Sequence, residues 1–217
     1  MGLAALLHDR TKPLHTEAER SGVMAALIRG HATRDEYLRL LAALHTIYAT
    51  LEEQLAGHAG HAVLAPMAAP AFARREALDA DLVAGAGTAW RTSVRVAPEA
   101  EAYAAHLRTL GAERPALLLA HAWLRYLGDL NGGQILARVL RAAPALEGMP
   151  THVYEVPTLS DPRAAAAEWR GRLDALPLDP ETMESLAAEA CDGFRRHIAL
   201  FRAIADQVPL TPSPSAA

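Results

Sequence analysis

Proline and acidic cap residues divide this chain into helices, and no other feature limits its fold as strongly. Pro98, Pro115, Pro162 and Pro180 each stand where a first-turn proline can begin a helix. The ring presets a helical φ there, and its missing N–H would have no intrahelical partner in any case. Asp161 and Asp179 precede two of these prolines as N-cap acceptors. The stretch TRDEYLRLLAALHTIYATLEEQL opens with Thr33 and Glu36 in capping-box spacing. Tyr37, Leu38, Leu41, Leu44, His45, Tyr48, Leu51 and Leu55 then recur at three- and four-residue steps. Further helices are predicted over about residues 3–20, 75–87, 98–110, 114–142, 161–176 and 180–206. The Pro/Gly-containing segments HAGHAVLAPMAAPAF and EGMPTHVYEVPTLSD read as the two long connections. Strand signals are weak, so the expectation is an all-α, single-domain bundle of unequal helices over residues 1–207, followed by a flexible tail, VPLTPSPSAA, over 208–217.

Composition narrows the function. The net charge of −4 and scattered basic residues lack the basic face that nucleic-acid binding requires. Cys191 is the sole cysteine, which excludes a disulfide framework and a CxxC pair within the chain. MGLAALLHDR is too short in its apolar run for a signal peptide, and no run of about 18 apolar residues offers a spanning helix. The expectation is a cytoplasmic protein without nucleic-acid or membrane partners, and a monomer. His58 and His61 in GHAGH lack further ligands at metal spacing and read as solvated loop residues.

The segment RYLGDLNGGQIL is the anomaly, because Gly128, Gly132 and Gly133 fall inside the most apolar predicted helix. Three helix-interior glycines together cost about 2 kcal/mol or more relative to alanine. A phosphate loop is excluded: GDLNGG lacks the Walker lysine and no strand precedes it. Gly128 and Gly132 have GxxxG spacing, but Arg125, Asp129, Asn131 and Gln134 do not suit a membrane helix. Three readings stay open: a turn that ends the helix at Gly128, close helix–helix packing, or a bent helix whose bare backbone faces a flat ligand. His15, in HDRTKPLHTEAERS, poses a similar choice. It is either a core histidine satisfied by a carbonyl or an axial ligand to heme iron, with Glu19 one turn on to fix the tautomer. Pro13 should bend or begin its helix.

Taken together these segments resemble the heme oxygenase family. TKPLHTEAE is similar to the family's proximal-histidine helix and AHAWLRYLGDLNGGQIL to its distal-helix motif, which is highly specific. RDEYLRLLAALHTIYATLEEQL, RPALLLAHAWLRYL and FRRHIALF follow in family order, so the likeness covers roughly residues 3–205. It implies a bundle of the heme oxygenase type, with b-type heme as substrate and cofactor between a proximal and a kinked distal helix. His15 then matches the iron ligand and Glu19 its acidic neighbour. Gly128 and Gly132 match the glycines at the heme face. Asp129 matches the carboxylate that organises distal water for proton delivery to the ferric hydroperoxide, and Tyr48 and Arg125 match members of its network. Lys12 and Arg170 match cations that pair with the propionates, and Phe194 and His197 fall on the last core helix near the pocket.

Departures fall on the propionate side. Ala166 replaces a lysine of the animal enzymes, His8 stands where lysine is often found, and Trp123 where tyrosine is common. Asn131 replaces the usual serine, a small polar exchange. The implied reaction opens the ring to biliverdin, CO and ferrous iron. It takes O2 and an external electron donor: a reductase, a ferredoxin or an ascorbate-like reductant. A bilin-accepting phytochrome is a further implied partner. The competing reading is a non-catalytic heme carrier or sensor of the same fold. A third, a cysteine nucleophile at Cys191, has no base motif beside it, and a buried structural thiol is expected.

Overall fold

The computed structural model describes residues 2–206, all of whose regular structure is helical. The expectation for residues 208–217 lies outside the described residues. The helices are α1 (Leu3–Glu19), α2 (Gly22–Ile28), α3 (Arg34–Gly57), α4 (Arg75–Ala86), α5 (Trp90–Ser93), α6 (Pro98–Glu113), α7 (Leu118–Ala142), α8 (Pro162–Asp174) and α9 (Pro180–Asp206).

Helix starts follow local chemistry. Thr33 Oγ1 accepts from the Glu36 N–H at 3.2 Å while Glu36 Oε2 accepts from the Thr33 N–H at 2.7 Å, a complete capping box. Asp161 accepts from the N–H groups of Arg163 and Ala164, and Asp179 from that of Thr182. Pro115 behaves differently from the other three prolines. It opens a 3-10 turn, Pro115–Leu117, and the α-helix begins only at Leu118. Pro13 neither begins nor ends a helix. α1 starts ten residues before it and runs through it, because Leu3, Leu6 and Leu7 already anchor that helix in the core.

α9 is the central strut, 27 residues or about 40 Å long. Its buried face carries Leu186, Ala190, Phe194, Ile198, Phe201 and Ile204 at three- and four-residue steps, and it packs along α1, α2, α3, α6 and α7. Full burial of each large apolar side chain contributes about 1.5–3 kcal/mol. The sequence reading missed α2 and the short α5. α2 depends on a long-range fit: Gly22 has φ +44°, and a Cβ there would lie 1.9 Å from the Phe201 carbonyl oxygen of α9.

The loop before α8 is pinned rather than loose. Asp81 of α4 is fully buried and accepts from the N–H groups of His152 and Val153 at 3.0 and 2.9 Å, and its Oδ1 lies 2.5 Å from His152 Nδ1. This latch seats Tyr154 against α7. Among the described residues no helix is long and apolar enough to cross a membrane.

Replacing Gly22 by alanine should destabilise the protein by more than about 2 kcal/mol, from left-handed strain plus collision with backbone that cannot yield. Chemical denaturation measures this, and an unchanged midpoint would contradict the close approach of α2 to α9.

Candidate functional site

α1 and α7 face one another across a cleft with two connected lobes of about 550 and 260 Å³. His15 and Glu19 of α1, Leu124, Gly128 and Gly132 of α7, and Phe194 of α9 line both lobes. Lys12, Trp123, Asn131 and Arg170 line the larger one, with His8 at its edge. Arg125, Asp129, Tyr154 and His197 line the smaller, among apolar Met24, Leu44 and Leu136.

α7 is unbroken from Leu118 to Ala142, so the glycine segment is not a turn. Its three glycines do two different things. A Cβ added to Gly128 or Gly132 would meet nothing within 4 Å, so protein packing does not demand glycine at either position. A Cβ on Gly133 would touch Tyr154 Cδ1 at 3.4 Å, so close packing explains that one. Gln134 Nε2 donates to the Tyr154 carbonyl at 3.0 Å and holds the latched loop there. The distal wall is thus bare backbone, backed by a tyrosine.

His15 is not a core histidine. Its side chain is 56% exposed, and among the described residues no carbonyl accepts from it. Its Nδ1 lies 3.7 Å from Glu19 Oε1, a charge contact too long for a hydrogen bond. Among the described residues Nε2 has no hydrogen-bond or ion-pair partner. The ring meets Phe194 edge-on at 5.7 Å between centroids.

Opposite stands a buried polar chain. Asp129, with a side chain 10% exposed, accepts from the Tyr48 hydroxyl at Oδ2 and from Arg125 Nη2 at Oδ1, 3.0 Å away. Arg125 and Asp129 sit at i and i+4 on α7, while Tyr48 reaches in from α3. Arg125 Nη1 donates to His197 Nε2 at 3.3 Å, and His197 Nδ1 donates to the Gly193 carbonyl at 2.8 Å. These partners fix the neutral His197 tautomer that bears its proton on Nδ1. Burial, then the adjacent Arg125 charge, push the His197 pKa well below its ordinary value. Burial chiefly, aided by Asp129 and opposed by Arg125, raises the Tyr48 phenol well above its usual range, so its hydroxyl stays a donor.

At the mouth, neither Lys12 nor Arg170 is ion-paired among the described residues. They leave two cations for an anionic ligand edge. Ala166 is fully buried and lines neither lobe. Cys191 is half-buried rather than buried, and its thiol donates to the Arg10 carbonyl at 3.6 Å. The cleft fits a flat, largely apolar ligand with a coordinating centre over His15 and anionic groups near Lys12 and Arg170.

Two features had no signal in the sequence reading. One is Tyr154, which arrives through the Asp81 latch. The other is a group behind the cleft, where the Tyr103 hydroxyl lies 2.7 Å from His121 Nδ1, and His121 and His106 both approach Glu189. Burial raises the Glu189 pKa, but hydrogen bonds from His121 and His106 outweigh it and hold the carboxyl at about 2.

The heme oxygenase family profile matches residues 1–203. Heme oxygenase 1 of Synechocystis sp. is 33% identical over 201 residues, covering 93% of this chain and 84% of the relative. Heme oxygenase 1 of Rattus norvegicus is 33% identical over 202 residues, covering 92% and 70%. The crystal structure of the Synechocystis heme oxygenase-1 in complex with heme superposes with a TM-score of 0.88 at 33% identity, covering 93% of this chain and 91% of that one. The heme oxygenase structure from Leptospira interrogans gives 0.89 at 32% identity, covering 93% and 99%.

Because Gly132 is open space on a continuous helix, Gly132→Ala should stabilise the ligand-free protein by about 0.5–1 kcal/mol. Denaturant titration checks this, and a loss of stability would mean that the position is packed rather than bare.

Proposed function

The chain belongs to the heme oxygenase family, and from that premise we propose that it cleaves heme as both substrate and cofactor, with His15 as the residue that would hold the iron and Asp129 as the anchor of proton delivery. When bound, heme supplies the iron that activates O2 and the ring that is opened to biliverdin, CO and ferrous iron.

Every other part of the reading concerns this chain's own side chains. His15 offers Nε2 to the ligand, with Glu19 near enough to Nδ1 to steady the charge that coordination draws onto the ring. His15 would hold the iron through a neutral imidazole and not through a thiolate. Lys12 and Arg170 orient the ligand by its carboxylates, and Trp123 and Phe194 give it apolar walls. The Trp123 indole offers no phenolic hydroxyl there, so the orienting charge falls to Lys12 and Arg170.

On the far wall, Gly128 and Gly132 keep bulk away from the ring face, so a small reactant can lie low against it. Asp129 stands between them in sequence, and its carboxylate is fixed by Tyr48 and Arg125. Its unshared lone pairs can hold water at the cleft and pass a proton through it, without a side-chain acid touching the reactant. Arg125 is steadied from behind by neutral His197, whose Nδ1–H is already committed to Gly193. The observation that carries this reading is the pairing of an exposed His15 with an open-faced glycine wall and a buried, doubly held carboxylate. A heme carrier would use His15 and the cations equally, but it needs no carboxylate of the Tyr48–Asp129–Arg125–His197 chain at the cleft. The electron donor is external, and a reductase, a ferredoxin or an ascorbate-like reductant would serve. A cytoplasmic setting and a phytochrome as bilin acceptor remain part of the same proposal.

Heme titration followed by reductant in air should bleach the Soret band with growth of biliverdin absorbance. Stable heme without bilin would favour the carrier. His15→Ala should abolish turnover, with partial rescue by added imidazole, and undiminished turnover without imidazole would remove His15 as the ligand. Gly132→Ala should weaken heme binding while stabilising the free protein, opposite signs that denaturation and Soret titration read separately.

A further inference from the structure

Behind the cleft, three helices bring two imidazoles and a carboxylate around one point. His106 of α6, His121 of α7 and Glu189 of α9 each present one ligand atom, all within 4.8 Å of one another. His106 Nε2 is 2.7 Å and His121 Nε2 3.0 Å from the same oxygen, Glu189 Oε1. We propose that this cluster binds a divalent transition-metal cation of the zinc type, clipping α6, α7 and α9 together.

The donor set selects the class of ion. Two imidazole nitrogens and one carboxylate suit zinc and its neighbours, whereas calcium and magnesium call for oxygen ligands throughout. The geometry is close to what such an ion needs. Ligand atoms in a tetrahedral zinc site lie about 3.3 Å apart, given metal–ligand distances of 2.0–2.1 Å. The contacts of 2.7 and 3.0 Å need to open by about 0.6 and 0.3 Å, and the two imidazole nitrogens, within 4.8 Å of each other, to settle at the same spacing, as the ion takes the place of the Nε2 protons. Both imidazoles converge on Oε1 instead of dividing between the two carboxylate oxygens, so the three ligand atoms surround one point.

The surroundings support the first ligands. The Tyr103 hydroxyl lies 2.7 Å from His121 Nδ1. With the metal on Nε2, Nδ1 becomes the donor and the hydroxyl oxygen the acceptor, which orients the ring. Gly193 leaves room, since a Cβ there would lie 3.2 Å from His121 Nδ1. An access route exists through His106, whose side chain is 22% exposed while that of His121 is 1% exposed. Asp192 Oδ2 is 3.7 Å from His106 Nε2 but is held by Arg196 Nε at 2.6 Å. The protein ligand set is therefore three, with water as the fourth. His121 is one turn before Arg125 on α7, so the clip would brace the helix that carries the Arg125–Asp129 pair.

The test is calorimetric titration of Zn2+ into the full chain, both heme-free and heme-loaded, the latter occupying His15. One saturable site is expected. His106→Gln and Glu189→Gln should each weaken it at least tenfold, with far-UV circular dichroism unchanged, and His58→Gln should not. Zn2+ should raise the Tm of the wild type and not of His106→Gln. Co2+ in the heme-free chain should give visible d–d bands that His106→Gln abolishes. If Glu189→Gln fails to fold, His106→Gln decides, because that side chain is the most exposed of the three. Absence of a saturable site, or a site that His106→Gln leaves at full affinity, overturns the proposal.

Discussion

The buried Arg125–Asp129 pair is the interaction on which the rest of this molecule is arranged. Both side chains are nearly enclosed, and desolvating a carboxylate and a guanidinium carries a penalty of several kcal/mol per ion before any attraction is counted. The pair is tolerable because each charge has a second partner, although Arg125 Nε is left buried without one. Tyr48 donates to the second carboxylate oxygen and His197 accepts from the second guanidinium nitrogen. Those partners come from α3 and α9, so three helices must be in register for the charge to be held. Removing one member of such a pair typically costs about 3–5 kcal/mol. The fold and the polar chain therefore depend on each other.

That arrangement also explains why α7 tolerates its glycines. Gly133 lets Tyr154 close over the helix, and the latch at Asp81 holds Tyr154 there. Gly128 and Gly132 have no such partner, so their helix-weakening effect is uncompensated within the protein. Stability forgone at two adjacent turns, on the wall that carries a fixed carboxylate and faces an exposed imidazole, marks a binding surface. Burial elsewhere along α7 supplies what those turns lack. His121, Tyr126, Leu130, Ala137 and Leu140 are all buried.

What was legible in the sequence was what neighbouring residues decide. The capping box at Thr33 and the aspartate caps are local, and they stand as read. α2 was not legible, because Gly22 answers to the Phe201 backbone in a distant helix. Tyr48 lies 81 residues from Asp129 and entered only through family resemblance, since no spacing rule links them. Tyr154 depends on a contact between Asp81 and a loop 71 residues later. His106, His121 and Glu189 come from three helices and share no motif. The glycine segment lay between these cases: its composition flagged an anomaly, and only the Cβ environment separated a packed glycine from two bare ones.

The central claim is that Asp129, held by Tyr48 and Arg125, governs the outcome of turnover rather than heme binding. The most direct measurement is single-turnover biliverdin yield per bound heme in Asp129→Asn against wild type, with heme affinity measured in parallel. The account predicts affinity within a few-fold of wild type and at least a tenfold loss of biliverdin. Wild-type biliverdin yield from the variant would contradict it.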